Sequence, residues 1–136
     1  MSKSTIIFIT AIIFIPTAVF SLAFYFSRTL KQDIDELTSK VELIENNLVF
    51  DEGDNEDNEK ISMLTENLKN KWAECSNQWC FFFDHEEIHN IQMLITELET
   101  EAENGNYYAA MVSSSRIKCS LELLSKHDAL DLSNFF

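Results

Sequence analysis

Residues 30–48 read LKQDIDELTSKVELIENNL. Leu30, Ile34, Leu37, Val41, Ile44 and Leu48 recur at alternating intervals of four and three, the heptad spacing that lines one side of an α-helix with apolar groups. Asp33, Asp35, Glu36, Lys40, Glu42 and Glu45 fill the other side, and no Gly or Pro interrupts the run. The stretch predicts a helix with a coiled-coil-like seam that another helix must cover. It sets the fold class as all-α.

Upstream, residues 5–26 read TIIFITAIIFIPTAVFSLAFYF, with no charged side chain. As a helix these residues span about 33 Å, against about 30 Å of bilayer hydrocarbon. Pro16 stands in the middle, which a membrane helix tolerates better than a soluble one. The small residues around Ser21-Leu22-Ala23 also suit a cleaved signal peptide, but the apolar run continues through Phe24, Tyr25 and Phe26. A retained signal-anchor is the reading. Lys3 on one side and Arg28 with Lys31 on the other barely decide orientation.

Downstream, residues 51–58 (DEGDNEDN) form a polar connection whose Gly53 precedes the acids it would have to follow in a calcium loop. Ile61, Leu64, Leu68, Trp72, Cys75, Trp79 and Phe82 then make the stripe of a second helix. Asp84 and Glu87 resemble the capping start of a third, carried by Ile88, Ile91, Ile95, Leu98 and Ala102. Asn104-Gly105-Asn106 stops it and turns the chain into a fourth, with Tyr107, Met111, Ser114, Ile117, Leu121 and Leu124. The expected architecture is one N-terminal transmembrane helix followed by an antiparallel bundle of about four helices. Residues 1–28 form the tail and anchor, and residues 29–136 the helical domain. Residues 129–136 read as an apolar tail.

All 23 acidic residues lie at or after Asp33, against seven Lys and Arg from Lys40 onward. Such a domain repels nucleic acid and anionic lipid surfaces, so nucleic acid is excluded as a partner. A short N-terminal tail with the domain exported across the cytoplasmic membrane is the ordinary outcome for such an anchor, and that orientation is the expected one.

From Trp72 through Asp84-His85-Glu86-Glu87-Ile88-His89-Asn90-Ile91, the helical hairpin and the closing Leu132-Ser133-Asn134-Phe135-Phe136, the chain resembles domain-of-unknown-function family 4363. The resemblance implies a short Firmicutes protein with an N-terminal membrane segment and a helical domain of no assigned activity. It also implies a neighbour, because such proteins are encoded near polytopic membrane proteins of the unknown-function family 421. His89 departs from the family pattern, which usually has Asp there.

His85-Glu86-Glu87-Ile88-His89 also satisfies H-E-x-x-H, in which two His one turn apart hold zinc and the Glu activates water. Candidates for a third ligand are Glu97, Glu99, Glu101, Glu103 and Glu122, by residue type alone. A helical domain of this length offers little room for a substrate cleft. The preferred reading is a capped helix with no metal or other cofactor, and a small zinc-dependent hydrolase is the alternative. Cys75, Cys80 and Cys119 form no C-x-x-C; one of the first two could bridge to Cys119, or all three stay reduced. The expected function is a non-enzymatic accessory or interaction subunit anchored in lipid. Its partner would be a membrane protein, one of family 421 among the candidates, or a second copy. Leu37, Ile44, Phe81, Phe83, Phe135 and Phe136 are the candidate contact residues.

Overall fold

Each periodic segment becomes one helix in the computed structural model, which describes residues 3–50 and 55–133, with side chains at 3, 5, 7–48 and 58–126. The helices are α1 (Lys3–Phe50), α2 (Asn55–Trp79), α3 (His85–Glu103) and α4 (Tyr107–Ser133). Two boundaries differ from expectation. α2 begins inside the polar stretch, and α4 runs on through Ser133 where the sequence suggested a separate tail. The chain divides into a unit Met1–Gln32 and a unit Asp33–Phe136.

The first unit is helical throughout its described part and includes Pro16. It contains an 18-residue window of mean hydropathy 2.4, none of it buried. That makes α1 long and apolar enough to cross a membrane.

The second unit buries the stripes read from sequence. Ile34, Leu37, Val41, Ile44 and Leu48 of α1 are at most 7% exposed. Ile61, Leu68, Trp72, Cys75 and Trp79 of α2, and Ile88, Ile91, Leu94, Ile95, Leu98 and Ala102 of α3, are buried as well. From α4 come Ala110, Ser113, Ser114, Ile117, Leu121 and Leu124. The small residues in this set suit a close approach of two backbones, and α3 packs most extensively with α4.

Ion pairs between helices trace a closed cycle. Lys71 of α2 binds Asp33 and Glu36 of α1 at 3.0 and 2.9 Å. Lys69 of α2 binds Glu99 of α3 at 2.8 Å. Arg116 of α4 reaches Glu97 of α3, and Lys118 of α4 closes the cycle on Glu45 of α1. The order around the bundle is therefore α1, α2, α3, α4. Lys71, late in α2, pairs with Asp33, the first residue of the unit, so neighbouring helices run antiparallel. The α2–α3 turn consequently lies at the end where the chain enters this unit.

Two connections follow from local chemistry. Between α3 and α4, Gly105 takes φ +70°, which only glycine adopts without strain. Gly105 N–H donates to the Ala102 carbonyl and Asn106 N–H to the Glu101 carbonyl, a Schellman pair that satisfies the helix end. Between α2 and α3, Phe82 and Phe83 N–H both donate to the Trp79 carbonyl at 2.9 Å. α2 therefore ends at Trp79, and Phe82, expected on its buried stripe, is exposed instead.

Candidate interaction surfaces

Asp84 holds an extended backbone before α3, and its carboxylate accepts from Glu86 N–H at 2.9 Å, the N-cap bond. His85 and His89 leave α3 one turn apart, and both are exposed, as is Glu86. The expected third ligands are elsewhere. Glu97 stands eight residues past His89, about 12 Å along the helix, Glu99, Glu101 and Glu103 are farther along it, and Glu122 is on α4. Glu97, Glu99 and Glu122 pair with Arg116, Lys69 and Lys126, while Glu101 accepts from the Asn106 amide. Among the described residues no three His, Cys, Asp or Glu gather as a metal-ligand group. The cap chemistry is what the geometry supports.

Substituting His89→Asp is therefore expected to leave the melting temperature nearly unchanged. A carboxylate in the second turn of α3 lies just past the reach of the positive helix end, so the dipole favours it by about 0.3 kcal/mol or less. A fall of many degrees in a thermal melt would make His89 a structural ligand.

The contact residues named from sequence separate into two groups. Leu37 and Ile44 are 1% and 0% exposed, so the α1 seam is core and is not available to a partner. Phe81 is 85% exposed. Phe83 is half-buried and meets the edge of Trp79 with centroids 6.2 Å apart. Phe135 and Phe136 lie outside the described residues. The three cysteines are free: Cys75 buried, Cys80 half-buried, Cys119 exposed. Burial pushes the Cys75 thiol up to about 12, helped by the negative charge of Asp33, so it is no nucleophile near neutral pH.

Sequence reading missed a second apolar face on α4. Tyr108, Val112 and Leu123 are exposed on it, with Cys119 between them, at steps that keep them on one side of a helix. The signal was present in the sequence, because α4 carries apolar residues beyond those its buried stripe requires. Tyr108, Met111, Val112, Ser115, Arg116 and Cys119 line a shallow open groove along this face. A more enclosed cleft beside Asn58, Ile61, Thr65 and Glu103 holds about 230 Å³. That is below the roughly 300–1,000 Å³ of small-molecule sites.

The Lys71 cluster is structural. The hydrogen bonds that Lys71 donates to Glu36 and then to Asp33 raise its ammonium above its ordinary value, and the bond Glu36 accepts from Lys71 lowers Glu36 below the ordinary carboxylate value of 4.5. The depressed Glu36 contributes stability above pH 4.5, and this is lost as pH falls through its folded value. The raised Lys71 contributes below the ordinary lysine range and is lost only in strong alkali. Substituting Lys71→Met is thus expected to cost about 1–2 kcal/mol at pH 7, between surface and buried pairs. Urea unfolding should show that cost shrinking below pH 4. A cost that stays constant into acid would remove the ion pair as its cause.

The family model of a domain of unknown function, DUF4363, matches residues 24–135. No curated protein matches the chain, and no solved structure does.

Proposed function

The chain belongs to the domain of unknown function family DUF4363, and on that footing we propose that it is a single-pass protein of the cytoplasmic membrane. Its acidic four-helix domain stands outside the cytoplasm as a non-enzymatic interaction subunit of a membrane protein complex. The observation that carries this reading is the apolar outer face of α4: Tyr108, Val112 and Leu123 remain 82%, 43% and 52% exposed on a strongly acidic domain. An exposed apolar strip on a soluble, like-charged surface favours a specific docked partner over general association.

Protease added to intact spheroplasts is expected to digest the domain while the chain remains in the membrane fraction. A protected domain would reverse the orientation, and a mature N-terminus at Phe24 would remove the anchor. The paired change Val112→Glu and Leu123→Glu should leave melting unaltered and strip the partner, a membrane protein or a second copy, from full-length protein in mild detergent. Bound stoichiometric zinc that His89→Ala releases would overturn the non-enzymatic reading.

A further inference from the structure

We infer that the turn between α2 and α3 rests on the bilayer that α1 crosses, with Phe81 and Phe82 seated at the boundary between lipid headgroups and acyl chains. This rests on the membrane anchoring proposed above.

The turn is built to present these two rings. Trp79 is 1% exposed and holds Phe83 edge-on, so the turn is fixed from beneath. Phe81 N–H donates to the Gln78 carbonyl and Phe82 N–H to the Trp79 carbonyl, so neither amide enters the interface unpaired. Phe81 and Phe82 are then 85% and 56% exposed. Two adjacent outward phenylalanines on a backbone already satisfied are costly in water and suited to the interfacial zone.

Connectivity brings the turn within reach of lipid. The apolar run ends at Phe26, and Asp33 is seven residues on. That segment spans about 25 Å at full extension and about 10 Å as a helix. Asp33 is tied to Lys71, and α2 rises about 12 Å from Lys71 to Trp79, toward the same end of the bundle. The aromatic turn is thus the part of α2 and α3 carried closest to the point where the chain arrives from the membrane.

Charge selects the kind of surface. Asp84, Glu86 and Glu87 directly follow the turn, and Asp84 and Glu86 are exposed. They keep insertion shallow and oppose an anionic surface, which leaves a zwitterionic lipid surface as the favoured one, with phosphatidylcholine as its probe.

Full-length protein reconstituted in phosphatidylcholine vesicles, with bromine atoms high in the acyl chains, provides the test. Phe81→Trp and, separately, Tyr25→Trp each add an indole over the parent emission of Trp72 and Trp79, both 1% exposed. Both added signals are expected to lose most of their intensity to bromine. The loss at position 81 should diminish when anionic phosphatidylglycerol is included. Quenching at position 25 without quenching at position 81 would overturn the docked turn and leave the anchor standing. Quenching at neither position would overturn both readings. Quenching at 81 that grows with phosphatidylglycerol would overturn the zwitterionic choice. The double change Phe81→Ser and Phe82→Ser should melt like the parent, which separates lipid contact from folding.

Discussion

Replacing Leu37 and Ile44 together by serine is expected to abolish cooperative unfolding of the acidic domain. Both side chains are essentially without solvent contact, at 1% and 0% exposure. Removing a buried Leu or Ile costs about 2–5 kcal/mol through lost transfer energy and the cavity left behind. Each serine also carries a hydroxyl into an apolar site, at about 1–3 kcal/mol if it finds no partner. The sum of the two sites is comparable to the whole stability of a domain, about 5–15 kcal/mol. Near-ultraviolet circular dichroism of full-length protein in mild detergent would report the loss, because the buried tryptophans give a signal only when packed. The matched control is Val112→Ser with Leu123→Ser on the outer face of α4, where each change should cost less than about 1 kcal/mol. If the Leu37 and Ile44 variant melted as sharply as the parent, the α1 seam would have to be an open surface after all.

Substituting Trp72→Ala should be nearly as damaging from a single position. Trp72 is 1% exposed and meets Trp79 edge-to-face, with centroids 5.6 Å apart and planes 86° apart. Deleting a buried indole costs about 3–5 kcal/mol. For a domain of about 100 residues this lowers the melting temperature by roughly 12–30 °C. The indole N–H has no hydrogen-bond acceptor in the structure. Packing, not a hydrogen bond, is therefore what Trp72 supplies. Substituting Trp72→Phe keeps a ring against Trp79 and removes the buried unpaired donor, so its cost should be about 2 kcal/mol or less. Equal losses for Phe and Ala would show that the indole nitrogen has a partner that matters.

These two predictions also mark how far the sequence could be read. The seam at Leu30–Leu48 was legible as a helix face, because periodicity reports which residues share a side. Periodicity does not report what covers that side. Leu37 and Ile44, which the sequence suggests as contact residues of an interface, are core instead, and burial is what shows it. The capped start at Asp84 and the stop at Gly105 were legible because each rests on a local backbone requirement. The end of α2 was not, since Phe82 continues the apolar spacing while the chain has already turned at Trp79. HEEIH gave the correct helix and the correct face for both His. Metal binding needs ligands that converge in space, and the remaining acids lie farther along α3 or on α4. The outer stripe of α4 escaped notice because Ser113, Ser114 and Ala110 make its buried face only weakly apolar. The contrast between its two sides is correspondingly small.

In every ion pair joining two helices among the described residues, the cation comes from α2 or α4 and the acid from α1 or α3. Four helices can be arranged around a ring in three distinct orders, ignoring handedness. Two of those orders would set α1 against α3 and α2 against α4, bringing like-charged edges together. Only the observed order sends the like pairs to the diagonals, where the apolar core separates them. The polar rim thus works as a wiring rule that rejects wrong neighbours during assembly, even where each exposed pair adds little stability. The rule is blind to mirror images, since clockwise and anticlockwise rings have the same neighbours. The choice of hand therefore falls to the short turns and to the shapes of the core side chains, with Trp72 and Trp79 the largest of them.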